Sequence, residues 1–196
     1  MTVPVVGLVG KLKVVATAML QQALADWGQM TGMLTEIADA KVQNLSRGAP
    51  LETTVAGPVM LVETRVEGRC EGPFYFVFPM SLAAHAVGKF VMLAPAVIQA
   101  KASSGLDATD IEAFKELANL MCGSSNNVLA KMQPGLRLSQ SVDHLKVRSA
   151  MPDVRACSSE LPNTDLACVA STAKVDGQAF TTFQLLPLTL ARAMLT

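Results

Sequence analysis

Apolar residues recur at spacings of three and four along the first part of the chain: Val14, Val15, Ala18, Met19, Ala23, Trp27, Met30, Leu34, Ile37 and Ala38. That period marks one face of an α-helix, so residues 14–46 are predicted helical, with Gly28 and Gly32 as modest interruptions and Gly48 and Pro50 as the stop. From Val55 to Phe78 the residues turn β-like. Val59, Leu61, Val62, Thr64 and Val66 form one strand and Phe74-Tyr75-Phe76-Val77-Phe78 a second, joined through the glycine-rich Glu67–Gly72. Pro79 closes that strand and opens a helix from about Ser81 to Leu93, where Pro95 intervenes. Residues 102–110 read as a linker in which Asp107 or Thr109 can cap the next helix. That helix, Asp110 to about Met132, carries Ala113, Phe114, Leu117, Leu120, Met121, Val128 and Leu129 before Pro134 and Gly135 stop it. Residues 136–163 are mixed and polar, with turn signals at Pro152 and Pro162. Leu166–Val169 and Ala179–Leu186 read as strands, with Val175-Asp176-Gly177 at the turn between them. A short helix follows Pro187.

The order repeats. Val66-Glu67-Gly68 is followed, 11 residues after its glycine, by Pro79-Met80-Ser81-Leu82-Ala83. Val175-Asp176-Gly177 is followed, 10 residues after its glycine, by Pro187-Leu188-Thr189-Leu190-Ala191. A long helix precedes each copy. Two copies are too few for a solenoid, which needs at least three units. They predict an α+β architecture: one domain over residues 1–196, with repeats at about 14–95 and 106–196, whose antiparallel strands merge into one sheet covered by the long helices.

Composition narrows the function. Of the 196 residues, 51% are hydrophobic and 16% charged, which excludes a disordered chain. Lys+Arg and Asp+Glu are 16 each, so no basic footprint for nucleic acid exists, nor a basic run for an anionic membrane. Met1–Leu20 is apolar, but Lys11 and Lys13 follow the apolar run Val3–Val9, the reverse of an export signal. The longest uncharged stretch, Gly72–Gly88, is broken by Pro73 and Pro79, so no membrane insertion is expected. Cys70, Cys122, Cys157 and Cys168 include no CxxC pair, and His85 and His144 are the only histidines. No metal site is expected; free thiols in a cytoplasmic protein are. The methionines read as core filling, with a few lining a docking face.

Candidate chemistry lies on the second long helix. Glu112, Glu116 and Asn119 stand at i, i+4 and i+7, on one stripe, with the apolar positions on another face. A carboxylate and a carboxamide are thereby presented side by side, an arrangement that an ordinary solvated face also produces. Cys122 has no histidine near it in sequence and reads as a buried helix thiol. Gly123-Ser124-Ser125-Asn126-Asn127 lacks the order of a phosphate-binding loop.

Glu116-Leu117-Ala118-Asn119-Leu120-Met121-Cys122-Gly123 resembles the motif helix of the CheC/CheX/FliY family of chemotaxis phosphatases, which shows Glu-x-x-Asn, a short apolar stretch and a Gly. The two-copy layout resembles CheC and FliY. The resemblance implies a pseudo-two-fold CheC-like domain that hydrolyses the aspartyl phosphate of a CheY-like response regulator. Asn119 would position the attacking water through its amide, and Glu116 would reach a lysine of the regulator. It implies no cofactor on this chain; Mg²⁺ belongs to the partner regulator. Glu112 stands where the family has Asp or Ser, and Val142 where it has Pro. In the first helix the matching positions are Asp26 and Gln29, a degenerate second site. The single intact motif is similar to that of CheX relatives, which are homodimers. The same scaffold could instead bind a receiver domain or a flagellar switch component without turnover.

Overall fold

The computed structural model describes residues 5–45, 54–151, 153–154 and 161–196. Helix α1 (Val5–Thr31) is followed by β1 (Thr35–Leu45), the hairpin β2 (Val59–Gly68) and β3 (Gly72–Pro79), then α2 (Met80–Phe90) and α3 (Pro95–Ser104). The second half runs α4 (Ala108–Met132), β4 (Leu136–Leu138), β5 (Lys146–Ala150), the hairpin β6 (Leu166–Val175) and β7 (Gln178–Pro187), and α5 (Leu188–Leu195). The strands form one seven-stranded sheet in the order β1-β6-β7-β3-β2-β4, with β5 also on β2, and every pairing is antiparallel.

The repeat predicted from sequence becomes a pseudo-two-fold axis. The two hairpins join where β3 meets β7, and Phe76 faces Gln184 there. Each of these residues stands three positions before the proline that opens its short helix, Pro79 or Pro187, so equivalent positions meet at the axis. The outer strands then cross over. β1, from the first half, pairs with β6 of the second, while β4 and β5, from the second half, share the free edge of β2. The halves are therefore interlocked through the sheet.

Both sheet faces are covered, which explains why β3 reads as an unbroken apolar run. Phe74, Phe76 and Phe78 point to the helical side, where Trp27 of α1 and Phe114 of α4 meet them. Tyr75 and Val77 point to the opposite side and pack with Val55, Val154 and Leu185.

Three sequence expectations are corrected. The first helix begins at Val5 and stops at Thr31, so residues 35–45 are strand rather than helix. Gly32 adopts φ +74°, and its N–H donates to Gly28 O at 2.8 Å, which ends α1 in a left-handed cap. Gly28 is needed as well: a Cβ there would lie 2.6 Å from the Met33 carbonyl oxygen, where the chain folds back. The apolar spacing continued past this point because β1 is an edge strand with only Ala40 buried and a bulge between Ile37 and Asp39 that breaks its alternation. Residues 95–104, predicted as interruption and linker, form α3, with Pro95 in its first turn. The polar stretch 136–163 contains β4 and β5. Pro152 and Cys157 lie outside the described residues.

Candidate functional site

Helix α4 is anchored at its start. Asp107 Oδ1 accepts from the Asp110 N–H and Asp110 Oδ2 accepts from the Asp107 N–H, each at 3.0 Å. Lys101, from the end of α3, donates to both carboxylates. That lysine and the cap hold the Asp107 carboxyl down to about 2, and the two carboxylates raise Lys101. Asp107, rather than Thr109, is thus the cap. From there α4 buries Phe114, Leu117, Ala118, Met121 and Cys122, while Glu112, Glu116 and Asn119 are exposed along one stripe, as their spacing predicts. Glu112 is occupied by Lys115 at 2.6 Å and does not line the cavity next to Glu116.

That cavity, open and of about 700 Å³, is bounded by Asp26 and Met30 of α1, Phe90 of α2, Glu116 and Asn119 of α4, and Gln140. Gln140 follows β4 and lies against the motif. Its Nε2 donates to Asn119 Oδ1 at 2.9 Å and to the Asn119 backbone oxygen at 3.0 Å. Gly123, one turn beyond Asn119, gives Gln140 its floor: a Cβ there would touch Gln140 Nε2 at 3.4 Å. The strand that carries Gln140 is held by α4 itself. Asn126 Nδ2 donates to Leu138 O at 3.0 Å, and the Leu138 N–H donates to Asn126 Oδ1 at 2.6 Å, so one side chain substitutes for a neighbouring strand. On the other side the Ser139 N–H donates to Arg65 O at 2.8 Å and Thr64 Oγ1 donates to Ser139 O at 2.7 Å.

Asp26 and Gln29 are not an independent pair. Asp26 accepts from Gln22 Nε2 at 3.0 Å and from Ser124 Oγ on α4, which ties the two long helices together. Gln29 is exposed but does not line the cavity. Trp27, between them, is core: it is 1% exposed and donates from Nε1 to Leu117 O at 2.8 Å, fixing the register of α1 against the motif helix. Met30, by contrast, is 54% exposed at the cavity rim, an apolar contact surface beside the polar groups. Burial pushes the Cys122 thiol up to about 12, which leaves it inert as a nucleophile.

The acids of the repeated turns have a structural task. Glu67 Oε1 lies 3.2 Å from His144 Nδ1, and Asp176 Oδ2 lies 2.8 Å from His85 Nε2. Each acid thus meets a histidine from the other half of the chain. The Ser139 bond first, then Arg137 and His144, hold Glu67 below the usual carboxylate range. The Leu34 N–H, then His85 and Lys89, do the same for Asp176.

Sequence reasoning missed Gln140 and Asn126. Asn126 sat within a helix pattern as one polar residue among several, and Gln140 in a stretch without periodicity. Neither carries a local signal, because their partners are a strand edge and a side chain far along the chain. Among the described residues no group of three His, Cys, Asp or Glu side chains could hold a metal ion, and no helix is long and apolar enough to cross a membrane.

No model of a known protein family matches this sequence, and no curated protein resembles it in sequence. Solved structures do resemble it in fold. Thermotoga maritima FliY superimposes with a TM-score of 0.78 at 15% identity, covering 99% of this chain and 96% of that one. FliM of H. pylori, in a complex with SpeE, gives 0.71 at 7% identity, covering 98% and 96%. A CheC-like superfamily protein from Shewanella sp. PV-4 gives 0.58 at 13% identity, covering 87% and 96%. The interlocked pair of helix-and-hairpin halves built around Phe76 and Gln184 is therefore the α+β fold shared by FliY, FliM and CheC-like structures.

Proposed function

We propose that this chain accelerates hydrolysis of the aspartyl phosphate on a CheY-like receiver domain. The observation that carries the reading is the pairing of Glu116 and Asn119, exposed one turn apart on a firmly capped helix and facing an open cavity with an apolar rim. The task left to such a partner is to orient a water in line with the leaving carboxylate, since the receiver supplies the phosphoryl group, its Mg²⁺ and a lysine. A carboxamide suits this because its oxygen accepts a hydrogen bond from water while its nitrogen donates one, with no change of charge. Glu116, beside it, meets the receiver's lysine through a charge-assisted hydrogen bond and sets the docking register. Met30 and Phe90 give the partner an apolar seat around the polar contact.

The test is the decay of a phosphorylated receiver with and without the protein. The wild-type chain shortens the lifetime, Asn119→Ala abolishes the acceleration while still binding, and Glu116→Ala weakens both. Equal decay with the wild type and Asn119→Ala would overturn the catalytic reading. A second reading, a binding module for a receiver or a flagellar switch component, is favoured by one observation: the Asp26 carboxylate is spent on Ser124, so only one of the two motif helices presents its pair. Binding of the receiver without any change in its decay supports that second reading.

A further inference from the structure

The geometry points to Gln140 as a positioning residue that sets which way the Asn119 carboxamide faces. The inference rests on the phosphatase reading for its catalytic consequence, but its physical content stands on the two hydrogen bonds alone. An asparagine amide rotates about a broad, roughly two-fold torsion, so an exposed one samples both orientations of its oxygen and nitrogen. Here one orientation is favoured by a hydrogen bond. The Asn119 backbone oxygen can only accept, so the Gln140 atom 3.0 Å from it must be the NH₂ group. The same nitrogen lies 2.9 Å from the Asn119 side chain, and the atom facing it must then be the oxygen. Turning the Asn119 amide over would set two NH₂ groups against each other.

One lone pair of Oδ1 is thereby used, and its second lone pair stays open to a water. The Nδ2 hydrogens meet no described protein group. Asn119 itself lines the cavity that a docking partner would close. The backbone that carries Gln140 is gripped from two sides: Asn126 holds Leu138, and Arg65 and Thr64 hold Ser139. The motif amide is therefore oriented before any partner arrives, so the cost of ordering it does not fall on the reaction.

Two replacements of nearly the same shape test this. Gln140→Met keeps the volume and removes the donor. Gln140→Glu donates only when its carboxyl is protonated and repels both Asn119 oxygens when ionised. Receiver dephosphorylation is measured at neutral pH, where a glutamate at an exposed position is ionised, and expressed as the ratio of variant to wild type. The expected result for Gln140→Met is a fall in kcat on the order of 10-fold with KM unchanged, the size typical of removing a group that orients a functional side chain. For Gln140→Glu, which adds repulsion to the lost donor, kcat falls at least as far. A role confined to stability would not move the KM-against-kcat split.

Equal kcat for Gln140→Met and wild type, or a Gln140→Glu variant as fast as the wild type, overturns the inference. If the wild type itself leaves receiver decay unchanged, the phosphatase reading fails and orientation is read directly. The Asn119 side-chain amide resonances in ¹⁵N-labelled protein shift and broaden in Gln140→Met if Gln140 orients that amide. Unchanged resonances would overturn it.

Discussion

Asn126→Ala is the most informative perturbation of the scaffold, because one side chain supplies both bonds that hold the free edge of β4. Removing it takes away the 2.6 Å bond from the Leu138 N–H and the 3.0 Å bond to Leu138 O. Leu138 is 1% exposed, so neither backbone group gains an easy replacement from solvent. At about 1–1.5 kcal/mol for each hydrogen bond lost, the folded state loses roughly 2–3 kcal/mol. Alanine is the better helix former, and this returns up to about 0.7 kcal/mol to α4. The net expectation is about 2 kcal/mol of destabilisation. Urea unfolding measures it as a lower midpoint at unchanged slope. Asn126→Asp separates the bond from the helix effect. At neutral pH it keeps an acceptor for the Leu138 N–H but sets a carboxylate oxygen against Leu138 O, so it is at least as destabilising as alanine. In acid its protonated carboxyl donates again and its deficit against the wild type narrows. A loss below about 0.5 kcal/mol for Asn126→Ala, the range of an ordinary surface change, would refute the claim that this clamp holds β4.

Three further outcomes are expected. Glu67, Asp107 and Asp176 all have carboxyls lowered in the folded state, Asp107 to about 2. Their contribution is complete above the usual carboxylate range and is lost as pH falls through the lowered values, so the melting temperature drops below about pH 4 and drops less steeply in the triple variant Glu67→Gln, Asp107→Asn, Asp176→Asn. Gly32→Ala meets no atom within 4 Å yet must hold φ +74°, so it costs about 1–2 kcal/mol through the backbone alone, read in a urea titration. A phosphorylated receiver titrated calorimetrically binds with one copy per chain, since Asp26 and Glu116 line the same cavity; a stoichiometry of two would contradict a single site.

The parts of the fold legible in the sequence are those whose signal is local. The hairpin β2–β3 announced itself through its apolar runs around Glu67–Gly72, and α4 through the Asp107 cap and its apolar face. The Glu116 and Asn119 pair was legible because helical spacing alone puts both on one exposed stripe. What stayed hidden depends on contacts made far along the chain. β1 is a strand because β6 offers it a ladder from Thr35 to Leu45, and nothing in its mostly exposed side chains encodes that. β4 is three residues long and β5 five, too short for any period, and both exist because β2 has a free edge. Helix α3 buries none of its residues fully and has no apolar stripe to detect, although Ile98 fits closely over Gly88 of α2.

The departure from two-fold symmetry explains why one long helix has a glutamine set against its amide. In the first half the strand that crosses to the opposite hairpin is continuous, apart from its bulge, from Thr35 to Leu45. In the second half the crossing strand is broken in two, and both pieces lie on β2. The break, residues 139–145, holds Gln140 against Asn119 and leaves Val142 89% exposed nearby. Along the first helix no interrupted strand among the described residues delivers such a residue, and Asp26 turns instead to Ser124. Among the described residues the duplicated architecture thus supplies two similar helices but only one interruption. The helix of the interrupted half holds an ordered amide, and the other helix supports it through Trp27 and Asp26.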